Sequence, residues 1–151
     1  MKYNCGVIGL GRIGCGFDDD PKSKIINTHA GAYFNNKNTK LISLCDIDKS
    51  KLEKYSKKYM TKSKYQNFEK MFQNEELHCV SICTHAESHL EIVNAAVKNG
   101  VKAIFLEKPM SDSLKDASEI IKICETYTQQ TEIKIDLYMS SPIDTQTSIN
   151  L

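Results

Sequence analysis

The chain has 151 residues, 40% of them apolar and 26% charged, with a net charge of +1, the profile of one globular core rather than two. Acidic and basic side chains are interspersed, so no basic face is offered to nucleic acid or to an anionic membrane. No apolar run reaches the roughly 18 residues of a membrane span, and the stretch from Cys5 to Phe17 is too rich in glycine, and too interrupted by Arg12, for a secretory leader, so a cytoplasmic protein is expected.

In chain order, Tyr3 to Ile8 reads as a strand, followed by the glycine turn Gly9 to Gly14, which opens a helix, and by a polar insertion from Asp18 to Thr28. Lys40 to Cys45 is a second strand. Asp48 to Met60 then places Leu52, Tyr55 and Tyr59 on one helical face, with Asp48 suited to cap it. His78 to Cys83 is a third strong strand, and Ala86 to Asn99 is a helix carrying Leu90, Val93 and Val97, with Gly100 where a left-handed terminus belongs. Val101 to Leu106 is a fourth strand, Ser111 to Thr126 a helix with Leu114, Ala117, Ile121 and Cys124 at helical spacing, and Glu132 to Leu137 a fifth strand. From Ser140 to Leu151 no period is visible. The strands are nearly continuous in apolar character, as strands buried on both faces are. Alternation with helices forces right-handed crossovers, and so a doubly wound parallel α/β sheet of the Rossmann type. The organisation expected is a dinucleotide-binding domain over residues 1–126, with a last strand and a divergent tail over 127–151.

Gly9-Leu10-Gly11-Arg12-Ile13-Gly14 stands in the context that a dinucleotide fingerprint requires. Its first glycine allows the tight turn, its second lets the backbone approach a pyrophosphate, and its third lets helix and strand pack closely. Asp46, at the end of the second strand, can accept hydrogen bonds from both hydroxyls of an adenosine ribose and would repel a 2′-phosphate. NAD is therefore expected ahead of NADP, a preference that Lys49 can soften. Arg12 is the only arginine among 20 basic residues. Of the six cysteines, four lie in apolar runs and read as reduced core thiols. A zinc site from His78, Cys79, Cys83, His85 and His89 is the weaker alternative, for no CxxC pair exists, and no metal is expected.

Three further segments, Thr84-His85-Ala86-Glu87-Ser88-His89, Ala95-Ala96 with Gly100, and Glu107-Lys108-Pro109-Met110, together with the glycine turn and Asp46, resemble the Gfo/Idh/MocA oxidoreductases along roughly residues 3 to 125. The resemblance implies an NAD-dependent oxidoreductase acting on a sugar, a sugar derivative or a cyclic polyol. It also implies that Lys108 is the catalytic lysine near the reacting carbon, that Glu107 shapes the cofactor pocket and holds Lys108, and that Thr84 and His89 line the cofactor cleft. With Gly9, Gly11, Arg12, Ile13, Gly14 and Asp46 these form the expected cofactor site. Pro109 fixes the turn, in a peptide often cis in relatives. His29 matches a histidine common at the start of the first family helix, more often structural than catalytic. The family's proline after the threonine is His85 here.

Members of that family continue into a C-terminal α/β domain that supplies the substrate pocket, the dimer sheet and the proton-handling aspartate and histidine; these are absent from the 151 residues. The abrupt loss of pattern over 127–151 favours a reading frame cut by a frameshift or early stop over a naturally short protein. A non-catalytic NAD-binding module, or a truncated relic, is accordingly the alternative function, and self-association through uncovered apolar surface is expected. A methyltransferase with a Rossmann fold is a third possibility, disfavoured by the full GxGxxG and by Glu107-Lys108-Pro109.

Overall fold

The computed structural model describes residues 2–22, 25–131 and 134–139 and the backbone of 148–149. Tyr3–Ile8 forms β1, Thr39–Cys45 β2, Ser63–Tyr65 β3, Cys79–Ile82 β4, Ala103–Leu106 β5, Asp136–Met139 β6 and Ser148–Ile149 β7. They make one sheet in the order β3-β2-β1-β4-β5-β6-β7. Neighbours from β3 to β6 pair parallel and β7 closes the edge antiparallel. The helices are α1 His29–Asn35, α2 Lys49–Lys58, α3 Phe68–Asn74, α4 His89–Lys98 and α5 Leu114–Thr131. Among the described residues no helix is long and apolar enough to cross a membrane.

Two cores, one on each face, account for the continuous apolar strands. Cys5, Val7, Leu41 and Leu44 pack with Tyr33 of α1 and Leu52 and Tyr55 of α2. Ile8, Val80, Ile82, Ile104 and Leu106 pack with Met71 of α3, Ile92 and Val93 of α4, and Ile120 and Cys124 of α5. A register shift between Cys5 and Gly6 of β1, where Leu41 and then Ser43 of β2 stand opposite, keeps Leu41 and Leu44 in the same core although they are an odd number of residues apart.

Several elements differ from the sequence reading. The glycine turn does not open a continuous helix. Residues 12–15 make a single turn, Gly16–Asp19 is a short 3-10 helix, and the insertion follows before α1 starts at His29. The helix is nonetheless spliced across this gap: the amides of His29 and Ala30 donate to the carbonyls of Ile13 and Gly14 at 3.1 and 3.0 Å. Asp48 caps α2 as expected, its carboxylate accepting from Ser50 N at 2.8 Å. Gly100 follows α4 with φ +76°, and Ile120 rather than Ile121 fills the core beside Cys124. The fifth expected strand is shifted to Asp136–Met139; Glu132, together with residues 140–147 and 150–151 of the expected tail, lies outside the described residues.

The insertion is pinned to α2. Asp19 accepts from Lys54 Nζ at 2.7 Å, from Tyr55 OH at 2.8 Å and from Lys58 Nζ at 2.9 Å. Asp18 accepts from Asn27 N at 2.6 Å and from the Thr28 hydroxyl, and Thr28 in turn caps α1 by accepting from Gly31 N at 3.0 Å.

Candidate functional site

In a doubly wound sheet, ligands lie beyond the carboxyl ends of the strands at the point where the strand order reverses. Here that point falls between β1 and β4, because β2 and β3 extend to one side of β1 and β4 to β6 to the other. The tips of β1, β2, β4 and β5 bring together the glycine turn, Asp46, Thr84 and the segment Glu107-Lys108.

Backbone proximity explains the glycines. Gly9 sits at φ +87°, with its amide donating to Cys45 O at 2.8 Å, and a Cβ there would lie 2.6 Å from the carbonyl carbon of Cys83. A Cβ on Gly14 would fall onto the Gly9 carbonyl oxygen. Gly11 is different: a Cβ there meets nothing within 4 Å, so the space over it is open. Among the described residues, the amides of Gly11, Arg12 and Ile13 have no protein acceptor. Arg12 is exposed, its guanidinium 6.0 Å from the centre of the Phe17 ring.

Asp46 is the anchor at the tip of β2. Its Oδ2 accepts from Leu10 N at 2.7 Å and its Oδ1 from Asp48 N at 2.9 Å, and the side chain is only 8% exposed. The carboxylate thus ties β2 to the glycine turn. Lys51, with Nζ 4.0 Å from Oδ2, is the lysine beside it, rather than Lys49.

At the tip of β4, Thr84 Oγ1 accepts from Ser88 Oγ at 2.8 Å, closing the 3-10 turn Ala86–Ser88. His89 does not face open solvent. It is fully buried, with Nδ1 3.1 Å from Met110 O and Nε2 3.2 Å from Thr84 O. Its ring therefore ties the loop after β4 to the loop after β5.

Glu107 is buried at the tip of β5, its Oε1 2.8 Å from Nε2 of His29 and its Oε2 3.4 Å from the amide of Lys108. Lys108 itself is exposed, and the Lys108–Pro109 peptide is cis. On its other side His29 Nδ1 lies 2.9 Å from Ser81 Oγ, which lies 2.7 Å from Tyr33 OH, itself 3.0 Å from Cys79 Sγ. Ser81, inside an apolar run, escaped the sequence reading, because its partners come from a helix far away along the chain. Burial, and then the charge of Glu107, pushes the Cys83 thiol well up; burial carries Cys15 to about 12. The thiols beside the glycine turn are therefore protonated and weakly nucleophilic near neutral pH. All six cysteines are free.

Comparison with known proteins is consistent with this geometry. The Gfo/Idh/MocA family model, the oxidoreductase family with an NAD-binding Rossmann fold, matches residues 3–134. A D-apiose dehydrogenase from Paraburkholderia graminis is 31% identical over 113 residues, 75% of this chain and 28% of that protein. A myo-inositol 2-dehydrogenase from Thermotoga maritima is 27% identical over 117 residues, 78% of this chain and 31% of that protein. The chain thus spans less than a third of the length of these relatives. Among solved structures, a scyllo-inositol dehydrogenase from Lactobacillus casei, with NAD(H) and scyllo-inositol bound, superposes with a TM-score of 0.76 at 18% identity, covering 93% of this chain and 36% of that one. The chain belongs to the Gfo/Idh/MocA oxidoreductase family and carries its NAD-binding Rossmann domain.

Proposed function

We propose that this chain binds NAD(H) across the tips of β1, β2, β4 and β5, as the nucleotide-binding part of a cytoplasmic oxidoreductase for a sugar, a sugar derivative or a cyclic polyol. The observation that carries the reading is the pairing of an open glycine cradle with Asp46. The unfilled space over Gly11 and the acceptor-free amides of Gly11, Arg12 and Ile13 suit a pyrophosphate, and an anionic acceptor at the end of β2 suits a ribose diol. When bound, the dinucleotide supplies the hydride acceptor or donor at its nicotinamide ring. Asp46 orients the adenosine half and repels a 2′-phosphate, a preference that Lys51 partly offsets. Lys108, exposed beyond β5 on the far side of the switch point, presents an ammonium that stabilises negative charge developing on a substrate oxygen. Glu107 supports it, while Thr84 and His89 hold the intervening loops in place. The substrate class rests on the sugar and inositol dehydrogenases among the relatives, and the cytoplasmic assignment on six unpaired thiols.

Calorimetric titration of wild type and Asp46→Asn with NAD and NADP tests this. The Asn side chain keeps an acceptor for Leu10 N but gives up the bond from Asp48 N together with the charge. The expected result is NAD preferred by about tenfold or more in wild type, with that preference lost in the variant. Equal affinities for the two nucleotides in both proteins would overturn the role of Asp46. Saturable binding of neither, in folded protein, would overturn the cofactor reading itself.

A further inference from the structure

The turn from Glu107 to Met110 is held at both ends by histidines from different helices. At one end His29, the first residue of α1, meets the Glu107 carboxylate at 2.8 Å. At the other, His89, the first residue of α4, lies 3.1 Å from the carbonyl of Met110. Between these clamps Lys108 is exposed.

The His29 clamp has a direction that follows from its partners. A carboxylate only accepts, so Nε2 donates its proton to Glu107, and in the neutral imidazole Nδ1 then accepts from the Ser81 hydroxyl at 2.9 Å. Ser81, having donated, accepts from Tyr33 OH at 2.7 Å. The polar chain therefore runs one way, from the buried Tyr33 through Ser81 and His29 to the carboxylate. Every link is fixed by rigid elements: Tyr33 and His29 by α1, Ser81 by a central strand. The splice of α1 onto Ile13 and Gly14 also ties the backbone of this helix to the glycine turn, so His29 is placed relative to the expected pyrophosphate cradle as well as to Glu107.

Accepting the cofactor reading given above, we infer that His29 is a positioning residue that preorganises the Glu107-Lys108 turn for the nicotinamide half of the dinucleotide, with no part in holding the adenosine half. The topology supports that division. Asp46 directly follows β2 and Glu107 directly follows β5, on opposite sides of the β1 to β4 switch point, so a dinucleotide with its adenosine ribose on Asp46 carries its other end toward Glu107. A side chain that fixes Glu107 acts on that end alone.

Binding of NADH and of ADP-ribose, which lacks the nicotinamide ring, separates this from a general structural role. The variants are His29→Ala, His29→Gln, whose amide can still donate to Glu107, and His29→Phe, which keeps a ring beside Phe105, 6.4 Å away between centroids, but has no donor. The expected result is NADH weakened about tenfold in the Ala and Phe variants, ADP-ribose unchanged within about twofold, and NADH affinity largely rescued by Gln. Should the Ala variant fail to fold, the Phe and Gln pair gives the same comparison. Equal weakening of both ligands, or no weakening of NADH, would overturn the inference while leaving the cofactor site intact. Wild-type protein that binds neither ligand would overturn the cofactor reading, and this inference with it.

Discussion

Two serines buried in the same sheet should respond to the same substitution with opposite sign. Ser43 and Ser81 are each 0% exposed. Ser43 lies at the register shift of β2, and among the described residues its hydroxyl has no hydrogen-bond partner. Ser81 is bonded to both His29 and Tyr33. Burying an unpaired hydroxyl costs about 1–3 kcal/mol. Ser43→Ala removes that penalty at the loss of one oxygen's packing, for a net gain of about 1 kcal/mol. Ser81→Ala forfeits two hydrogen bonds and leaves Nδ1 of His29 without its donor, while Tyr33 retains Cys79 Sγ at 3.0 Å; the expected loss is about 2 kcal/mol. For a chain of this size, at about 2–4 °C per kcal/mol, the two variants should melt about 9 °C apart, on either side of wild type. Urea unfolding with an unchanged m value checks that the native state is the same. A destabilised Ser43→Ala, or a neutral Ser81→Ala, would refute the assignment of partners.

Gly11→Ala and Gly14→Ala separate cofactor contact from folding. The first should stay within about 0.5 kcal/mol of wild-type stability, since its Cβ meets no protein atom, yet lose NAD affinity by about tenfold or more; unaltered NAD affinity would place the pyrophosphate elsewhere. The second drives a Cβ into the Gly9 carbonyl, and thermal melts should show a severely destabilised protein. Burial alone would push the Asp19 carboxyl up, but hydrogen bonds from Lys54, Lys58 and Tyr55 prevail and bring it from 3.8 down to about 2. Between those values the unfolded chain binds more protons than the native one, so the contribution is complete above about pH 4 and is lost as pH falls toward 2. Because the site is partly exposed, screening reduces the contribution to about 1 kcal/mol, read as a gap between wild type and Asp19→Asn that closes on acidification; a gap independent of pH would contradict it. Lys108→Ala should leave NAD affinity within about threefold of wild type. A much larger loss in titration would assign that lysine to the cofactor.

The parts of the fold legible in the sequence are those whose burial writes a long pattern. Strands β1, β2, β4 and β5 are covered on both faces and read as continuous apolar runs, while α2, α4 and α5 are long enough for a helical period to repeat. β3 is Ser63–Tyr65, two half-buried residues flanking the exposed Lys64 at the edge of the parallel set, too short and polar to register. α3 spans Phe68–Asn74, and its signal is a cap rather than a period: Asn67 accepts from Lys70 N at 2.8 Å. The start of α1 was obscured because the insertion interrupts the helix that the glycine turn leads into, and the carbonyls of Ile13 and Gly14 find their donors only at His29 and Ala30.

For the site, local motifs were visible and long-range partners were not. The glycine turn is marked by its own spacing and Asp46 by its place at the end of an apolar run, and the bond from Leu10 N to Asp46 joins these two segments. The tie from His29 to Ser81 spans 52 positions, and nothing in the strand that contains Ser81 marks one polar residue as a link. Likewise Lys51, in the first turn of α2, stands beside Asp46 because of where the helix starts, a detail set by the Asp48 cap.

On the proposed function, a dinucleotide lies across the tips of β1, β2, β4 and β5, with its adenosine half toward Asp46. Amide chemical shifts of isotope-labelled protein, followed during titration first with ADP-ribose and then with NAD, test it directly. Both ligands are expected to shift Gly11, Arg12, Ile13 and Asp46, NAD additionally to shift Glu107 and Lys108, and Tyr3 and Ala103, at the opposite ends of β1 and β5, to stay still. Saturable shifts centred on those opposite ends, or confined to the outer surfaces of α4 and α5, would contradict it.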